Sequence, residues 1–349
     1  MPSKANTFID AFCGAGGMSL GLEAAGFNPL VGFDADPVCI ETCKLNQRFL
    51  RGNFYLSKIE DLLGGNILKL AGIVPGELGL LAGGPPCQGF SNQRIGPDND
   101  PRNDLVIAYS ELVKELMPRS FILENVPGLG GKRGIQRFTK LISDLEKTGY
   151  AIASDTLDAA NYGVPQRRKR VIVVGTRLDI KVNFTFSQPT LKKITTVRQT
   201  IGHLPPAPID GSEHPEYNHH RADRLSPNNL QRIQALKPGQ GMQDLPEELR
   251  AECHKKGPSK IGHRYVYGRM EWDNVAPTIT ARFDSFTRGK FGHPEQPRSI
   301  SLLEGALLQT FPPGFKFTGT KVEIARQIGN AVPPVFSKAI GKMIKKFVC

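Results

Sequence analysis

The sequence is short of several things, and each shortage excludes something. Its six cysteines, Cys13, Cys39, Cys43, Cys87, Cys253 and Cys349, contain no Cys-x-x-Cys pair, which argues against both a disulfide framework and a zinc ribbon. No apolar run approaches the roughly 18 residues of a membrane span. The opening Met1-Pro2-Ser3-Lys4-Ala5-Asn6 lacks the apolar stretch of a secretory signal, so a soluble intracellular protein is expected. There is no internal repeat and no low-complexity tract. A composition of 39% hydrophobic and 22% charged residues excludes disorder as the dominant state. Acid is the scarce charge: 33 Asp and Glu face 45 Lys and Arg, for a net charge of +12. Such an excess suits a protein that meets a polyanion, of which nucleic acid is the commonest.

A length of 349 residues fits about two domains. The first 180 residues alternate short apolar runs with longer amphipathic ones, the pattern of a doubly wound α/β fold with a mostly parallel sheet. Strands are predicted over Thr7–Phe12, Leu30–Phe33, Leu78–Ala82, Phe121–Leu123 and Val171–Val174, with helices over Met18–Ala25, Pro37–Asn46, Leu105–Met117 and Ile135–Thr148. From about Lys181 to Met270 the character changes. This quarter holds six of the seven histidines, nine of the 27 prolines, and 14 basic against 8 acidic residues, or +6. Proline at that density breaks long helices and central strands. A loop-rich basic unit is expected there, inserted into a domain that closes afterwards through helices over Leu302–Leu308 and Val335–Phe347.

Four segments carry chemistry. The first strand runs into Asp10-Ala11-Phe12-Cys13-Gly14-Ala15-Gly16-Gly17 ahead of a helix, and Asp34 ends the next strand 20 residues after Gly14. Glycines let backbone approach a ligand, and a carboxylate at that distance accepts ribose hydroxyls, so a nucleoside cofactor is the natural reading. Ser19 stands where a dinucleotide fingerprint wants its third glycine, which disfavours a pyrophosphate ligand; a tight turn without any ligand is the competing view. Second, Gly83-Gly84-Pro85-Pro86-Cys87-Gln88-Gly89-Phe90-Ser91 stiffens the backbone around one thiol, a setting for a nucleophile, with an inert buried cysteine at a turn as the alternative. Third, Phe121-Ile122-Leu123-Glu124-Asn125 puts a carboxylate at a strand end, where it would act as proton donor or simply cap a turn. Fourth, Gln166-Arg167-Arg168-Lys169-Arg170 enters a strand with Gln166, Arg168 and Arg170 on one face, positive groups suited to a carboxylate, a base or a phosphate.

Together these segments resemble the ordered motifs of the DNA (cytosine-5)-methyltransferase family, over nearly the whole chain outside the basic insert. The resemblance implies a methyltransferase of the Rossmann-like type that uses S-adenosylmethionine, with Phe12, Gly14, Gly16, Gly17, Asp34, Ile59, Leu105 and Asn330 at the cofactor. It implies Cys87, Glu124, Arg168 and Arg170 in catalysis: Cys87 adds to cytosine C6, Glu124 engages N3, Arg168 orients Glu124 and Arg170 contacts the base carbonyl. Pro86, Gln88, Ser91 and Asn125 would line the substrate pocket, and no metal is implied. Residues 1–180 and 286–349 would form the catalytic domain, and 181–285 a target-recognition domain on duplex DNA. Basic residues there, among them Lys192, Lys193, Arg221, Arg224, Arg232, Lys255, Lys256, Arg264 and Arg269, would mostly contact phosphates. His219, His220, Cys253, His254 and His263 lack compact ligand spacing for zinc. Ala35 and Lys58 depart from the family pattern around the adenine. A monomeric bacterial modification enzyme of the cytoplasm is expected, with a cognate restriction endonuclease encoded nearby. The rivals are a transfer-RNA cytosine-5 methyltransferase, disfavoured by the lack of a Cys-Phe-Thr signature, a catalytically silent DNA-binding homologue, and a nicotinamide-dependent dehydrogenase.

Overall fold

The apolar runs pair into one seven-stranded sheet in the computed structural model, which describes residues 4–86, 104–130, 135–187, 189, 193–252 and 266–348. The strands are β1 (Thr7–Ala11), β2 (Asn28–Asp34), β3 (Asn53–Leu56), β4 (Leu80–Gly83), β5 (Ser120–Asn125), β6 (Tyr150–Asp158) and β7 (Lys169–Arg177). They lie in the order β3-β2-β1-β4-β5-β7-β6, with β7 alone antiparallel to its neighbours. The middle strands β1, β4 and β5 are buried along their whole length, as expected where helices cover both faces. Ile9, Phe33, Leu81, Leu123 and Val173 form the shared core with Leu112 from a covering helix.

Two strands escaped prediction, and both are edges. β3 is four residues long and half exposed, while β6 carries the polar run Ser154-Asp155-Thr156 on its exposed stretch. An edge strand needs no continuous apolar run, so its sequence signal is weak.

The helices of the first half are α1 (Gly17–Ala24), α2 (Pro37–Leu45), α3 (Ile59–Leu62), α4 (Asn66–Ala71), α5 (Asp104–Leu116) and α6 (Ile135–Lys147). α2 shows why the sequence folds as it does. The Asp36 side chain accepts the Val38 N–H, and Pro37 occupies the first helical position, where its missing donor costs nothing. Later come α7 (Val197–Ile201), α8 (Pro227–Gln234), α9 (Leu302–Leu308), α10 (Lys321–Asn330) and α11 (Pro334–Val348). α11 packs on α1 through small residues. A Cβ on Gly21 would stand 2.3 Å from the Pro334 carbonyl oxygen, and Ser337 Oγ donates to the Met18 carbonyl at 2.8 Å.

The chain forms two compact units, one of residues 1–162, 169–190 and 331–349, the other of 163–168 and 191–330. The chain therefore rejoins the sheet unit at Ala331, whereas the sequence suggested 286. The reason is that α9 and α10 are bound into the second unit. Arg298 and Glu304, both buried, form a two-pronged ion pair at 2.7 Å, and Ser301 with Glu304 closes a capping box on α9. Burial alone would raise the Glu304 carboxyl, but the Arg298 guanidinium outweighs it and holds it below the usual range. Elsewhere this unit is held by isolated bridges and by a small cluster of Ile233, Leu236, Leu245 and Phe286.

Candidate active site

The order of the strands reverses between β1 and β4, so the loops leaving their carboxyl ends open side by side, the place where open α/β sheets bind ligands. After β1 the backbone turns through left-handed conformations at Phe12 (φ 59°), Gly14 (φ 52°) and Gly16 (φ 81°) before α1 begins. Phe12 bears a strain that a non-glycine residue adopts rarely. The Gly14 N–H donates to Asp34 Oδ2 at 2.9 Å and the Asp36 N–H to Asp34 Oδ1 at 2.9 Å. Burial raises the Asp34 carboxyl, with these two N–H groups opposing the rise. Each oxygen keeps acceptor capacity, and the space where a Gly14 Cβ would stand is open. A nucleoside's ribose fits this arrangement.

The other expected cofactor residues are placed unevenly. A Cβ on Gly17 would stand 2.5 Å from the Val332 carbonyl oxygen, so Ala331 and Val332 lie against the glycine loop; Asn330, exposed, immediately precedes them. Leu105 is partly buried in the first turn of α5. Ile59 opens α3 with its side chain in the core, which leaves its backbone for any ligand. Ala35 is exposed.

Beside this loop stand the ends of β4 and β5. Glu124 is nearly buried, and its Oε1 pairs with Arg170 Nε at 2.8 Å. Register explains the pairing. Glu124 lies opposite Ile172, so Arg170, two residues before it, projects on the same face as a diagonal neighbour. The expectation that Arg168 orients Glu124 thus finds Arg170 on that carboxylate. Asn125 Nδ2 donates to the Pro85 carbonyl at 3.1 Å, and a Gly84 Cβ would come within 3.3 Å of Glu124 Oε2. The lead-in to Cys87 is therefore fastened to the strand that carries Glu124. Pro86 is exposed; Cys87, Gln88 and Ser91 lie outside the described residues.

The basic run alternates as its spacing suggested: Gln166 and Arg168 are buried, Arg170 half-buried, Arg167 and Lys169 exposed. Arg168 donates to the Ile279 and Gly329 carbonyls, each at 3.1 Å.

Several expected DNA-contact residues have other work. Arg269 is buried and donates to the carbonyls of Ile233, His293 and Pro294, and Arg232 donates to Leu249 and Asn229 while lying over Tyr267. Arg221 pairs with Glu213 at 3.3 Å. His219 accepts from the Phe317 N–H, and His220 bonds Ser301 and the Pro205 carbonyl. Lys192, Cys253, His254, Lys255, Lys256, His263 and Arg264 lie outside the described residues.

One further acid near this loop belongs to none of the motif roles. Asp10, fully buried in β1, accepts Ser19 Oγ–H at 2.6 Å beneath the glycine loop, and burial pushes its carboxyl up to about 7. An acid in the middle of an apolar strand was the signal that could have found it. Ser19, which stands where a dinucleotide fingerprint has its third glycine, is its partner.

Solved structures share this architecture. A DNA modification methyltransferase encoded within an E. coli prophage superposes with a TM-score of 0.74 at 25% identity, covering 98% of this chain and 99% of that one. The Entamoeba histolytica methyltransferase EhMeth shares the fold, with a TM-score of 0.66 at 16% identity over 97% and 98%. The fold is thus the Rossmann-like one of methyltransferases. The model of the C-5 cytosine-specific DNA methylase family matches residues 6–346, and the chain belongs to that family. Type II methylase M.HgiDII of Herpetosiphon aurantiacus is 38% identical, over 97% of this chain and 95% of its own. Type II methyltransferase M1.HphI of Haemophilus parahaemolyticus is 32% identical over 97% and 87%.

Proposed function

We propose that the protein transfers the methyl group of S-adenosylmethionine to C5 of a cytosine within a specific sequence of duplex DNA. The observation that carries the site assignment is the Glu124–Arg170 pair, tied through Asn125 to Pro85 two residues before Cys87, at the same end of the sheet as the Gly14–Asp34 loop. Phe12, Gly14, Gly16, Gly17 and Asp34 would hold the cofactor, with Ile59, Leu105 and Asn330 completing its surroundings. When bound, that group supplies an electrophilic methyl. Cytosine C5 is a poor nucleophile until C6 is saturated, and Cys87 as thiolate makes that addition. Glu124 holds N3 and stabilises the charge that develops as the ring gains enamine character, while Arg170 fixes the carboxylate from the neighbouring strand and reaches the base carbonyl. Loss of the C5 proton expels Cys87. The target atom is hidden in a stacked duplex, so the base is flipped into the pocket at a cost of a few kcal/mol.

The second unit serves target recognition in this reading, with 191–285 of the expected 181–285 inside it and 181–190 in the first unit. Its exposed Lys193 and Arg224 are candidate phosphate contacts, whereas Arg232 and Arg269 hold its own loops. The enzyme would act as a monomer in a bacterial cytoplasm beside a cognate endonuclease. Bisulfite sequencing of DNA from a host expressing the protein tests reaction and target together; unmodified DNA would reject the reading. An oligonucleotide with 5-fluorocytosine should be trapped covalently only with cofactor and Cys87 present, and trapping by Cys87→Ser would reject the nucleophile.

A further inference from the structure

We infer that Gln309 is a positioning residue for methyl transfer, acting through Gln166 on two stretches of chain that enter the reaction centre; the inference rests on the reading above. Residues 163–168 belong to the second unit although β6 precedes them and β7 follows in the first. They are pinned there by Ala276, whose N–H donates to the Pro165 carbonyl at 2.9 Å and whose carbonyl accepts from the Arg167 N–H at 2.9 Å. The Gln166 side chain is wholly buried. Its Nε2 donates to the Leu308 carbonyl at 2.9 Å and to Gln309 Oε1, while its Oε1 accepts the Ile279 N–H at 3.0 Å. Gln309, equally buried, passes the link on, donating Nε2 to the Ile328 carbonyl at 2.9 Å. Arg168 holds the next carbonyl, Gly329, and the other side of Ile279. Ile328 and Gly329 lie in the last turn of α10, whose final carbonyls have no partners within the helix.

Two of the places where the chain passes between units follow directly, at 168/169 and at 330/331. Two residues past the first, Arg170 meets Glu124; just past the second, Ala331 and Val332 rest against Gly17. One buried amide pair therefore anchors the chain just before both crossings, while the β5–β7 ladder sets the register beyond the first. Hydrophobic side chains would fill the same space, but they would not distinguish one register from a slip. Two amides that both donate and accept do, because a slip leaves buried polar groups unmatched.

The test is Gln309→Met, which keeps length and bulk and removes both hydrogen-bonding functions, alongside Gln166→Met and the double variant. With DNA and cofactor saturating, the single-turnover rate per folded molecule should fall at least about tenfold, while KM for DNA and for cofactor each move less than about threefold. The double variant should be no slower than the slower single, because the two act as one unit. Amide exchange at Ile279 and Arg170 should quicken in each variant, a readout independent of catalysis. Should Gln309→Met fail to fold, Gln309→Asn, which keeps the amide but falls short of Ile328, takes its place with the same expectations. An unchanged rate per folded molecule, or a loss confined to stability or DNA affinity, overturns the inference. Absence of methyl transfer by the wild-type protein would instead refute the proposed function, leaving the exchange result to stand on its own.

Discussion

Asp10→Asn gives a quantitative test of how the sheet accommodates a charge beneath the glycine loop. Asp10 is fully buried, and desolvation raises its carboxyl from 3.8 to about 7, with Ser19 opposing the rise and Asp34 adding to it. Cys13 and Tyr109 also face it, and neither carries a positive charge. Each tenfold change in proton affinity is about 1.4 kcal/mol, so the ionised native state carries a penalty of about 4 kcal/mol from this group, to order of magnitude. The sign follows from proton counting. Between pH 3.8 and about 7 the native state holds a proton that the unfolded chain has released, so stability falls as pH rises through this window and levels off above it. Asparagine stays neutral and still accepts from Ser19. The variant should therefore gain on the wild type as pH rises from 5 to 8 by about 3 of those 4 kcal/mol, the rest having been lost below pH 5. Urea unfolding at pH 5, 6, 7 and 8, followed by circular dichroism, measures it; tryptophan fluorescence would report the second unit, where the single Trp272 lies. A difference that is flat with pH to within about 0.5 kcal/mol would show that Asp10 is ionised and stabilised by something other than Ser19.

Three other outcomes follow from the same geometry. Glu124→Gln should slow methyl transfer by about 10²- to 10⁴-fold while leaving cofactor binding nearly intact, and equal losses in both, read by single-turnover kinetics and equilibrium dialysis, would mean a structural role. Arg298→Met strands the buried Glu304 carboxylate and should cost about 3–5 kcal/mol by denaturant unfolding; a loss below about 1 kcal/mol would show that the pair is dispensable. In β7, a Cβ at Gly175 would stand 2.0 Å from Phe121 on the paired strand, so Gly175→Ala should destabilise by about 1–3 kcal/mol, and a neutral result would show the ring free to move.

Legibility in the sequence followed burial. β1, β4, β5 and β7 read directly because a strand covered on both faces must be apolar throughout, and α2 read directly because Asp36-Pro37 is a local start signal. β3 and β6, at the edges, carry no such constraint. The alternation of Gln166, Arg168 and Arg170 onto one face was legible for the same reason of period two. Their partners were not, because partners depend on strand register and on segments more than a hundred residues away.

The charge shows the same division. The sequence determined that a basic, proline-rich stretch interrupts an α/β domain, since composition and periodicity are properties of neighbouring residues. Only the tertiary structure decided what each charge does: Arg232 and Arg269 spend theirs on internal carbonyls, Arg170 meets Glu124, and Arg168 closes the end of α10. It also decided that the chain returns to the sheet at Ala331 and not at 286, because the buried Arg298–Glu304 pair and the Gln166–Gln309 amides bind the intervening helices to the second unit. Those bonds join residues far apart in sequence, and their strength comes from a dry interior that exists only once the chain has folded.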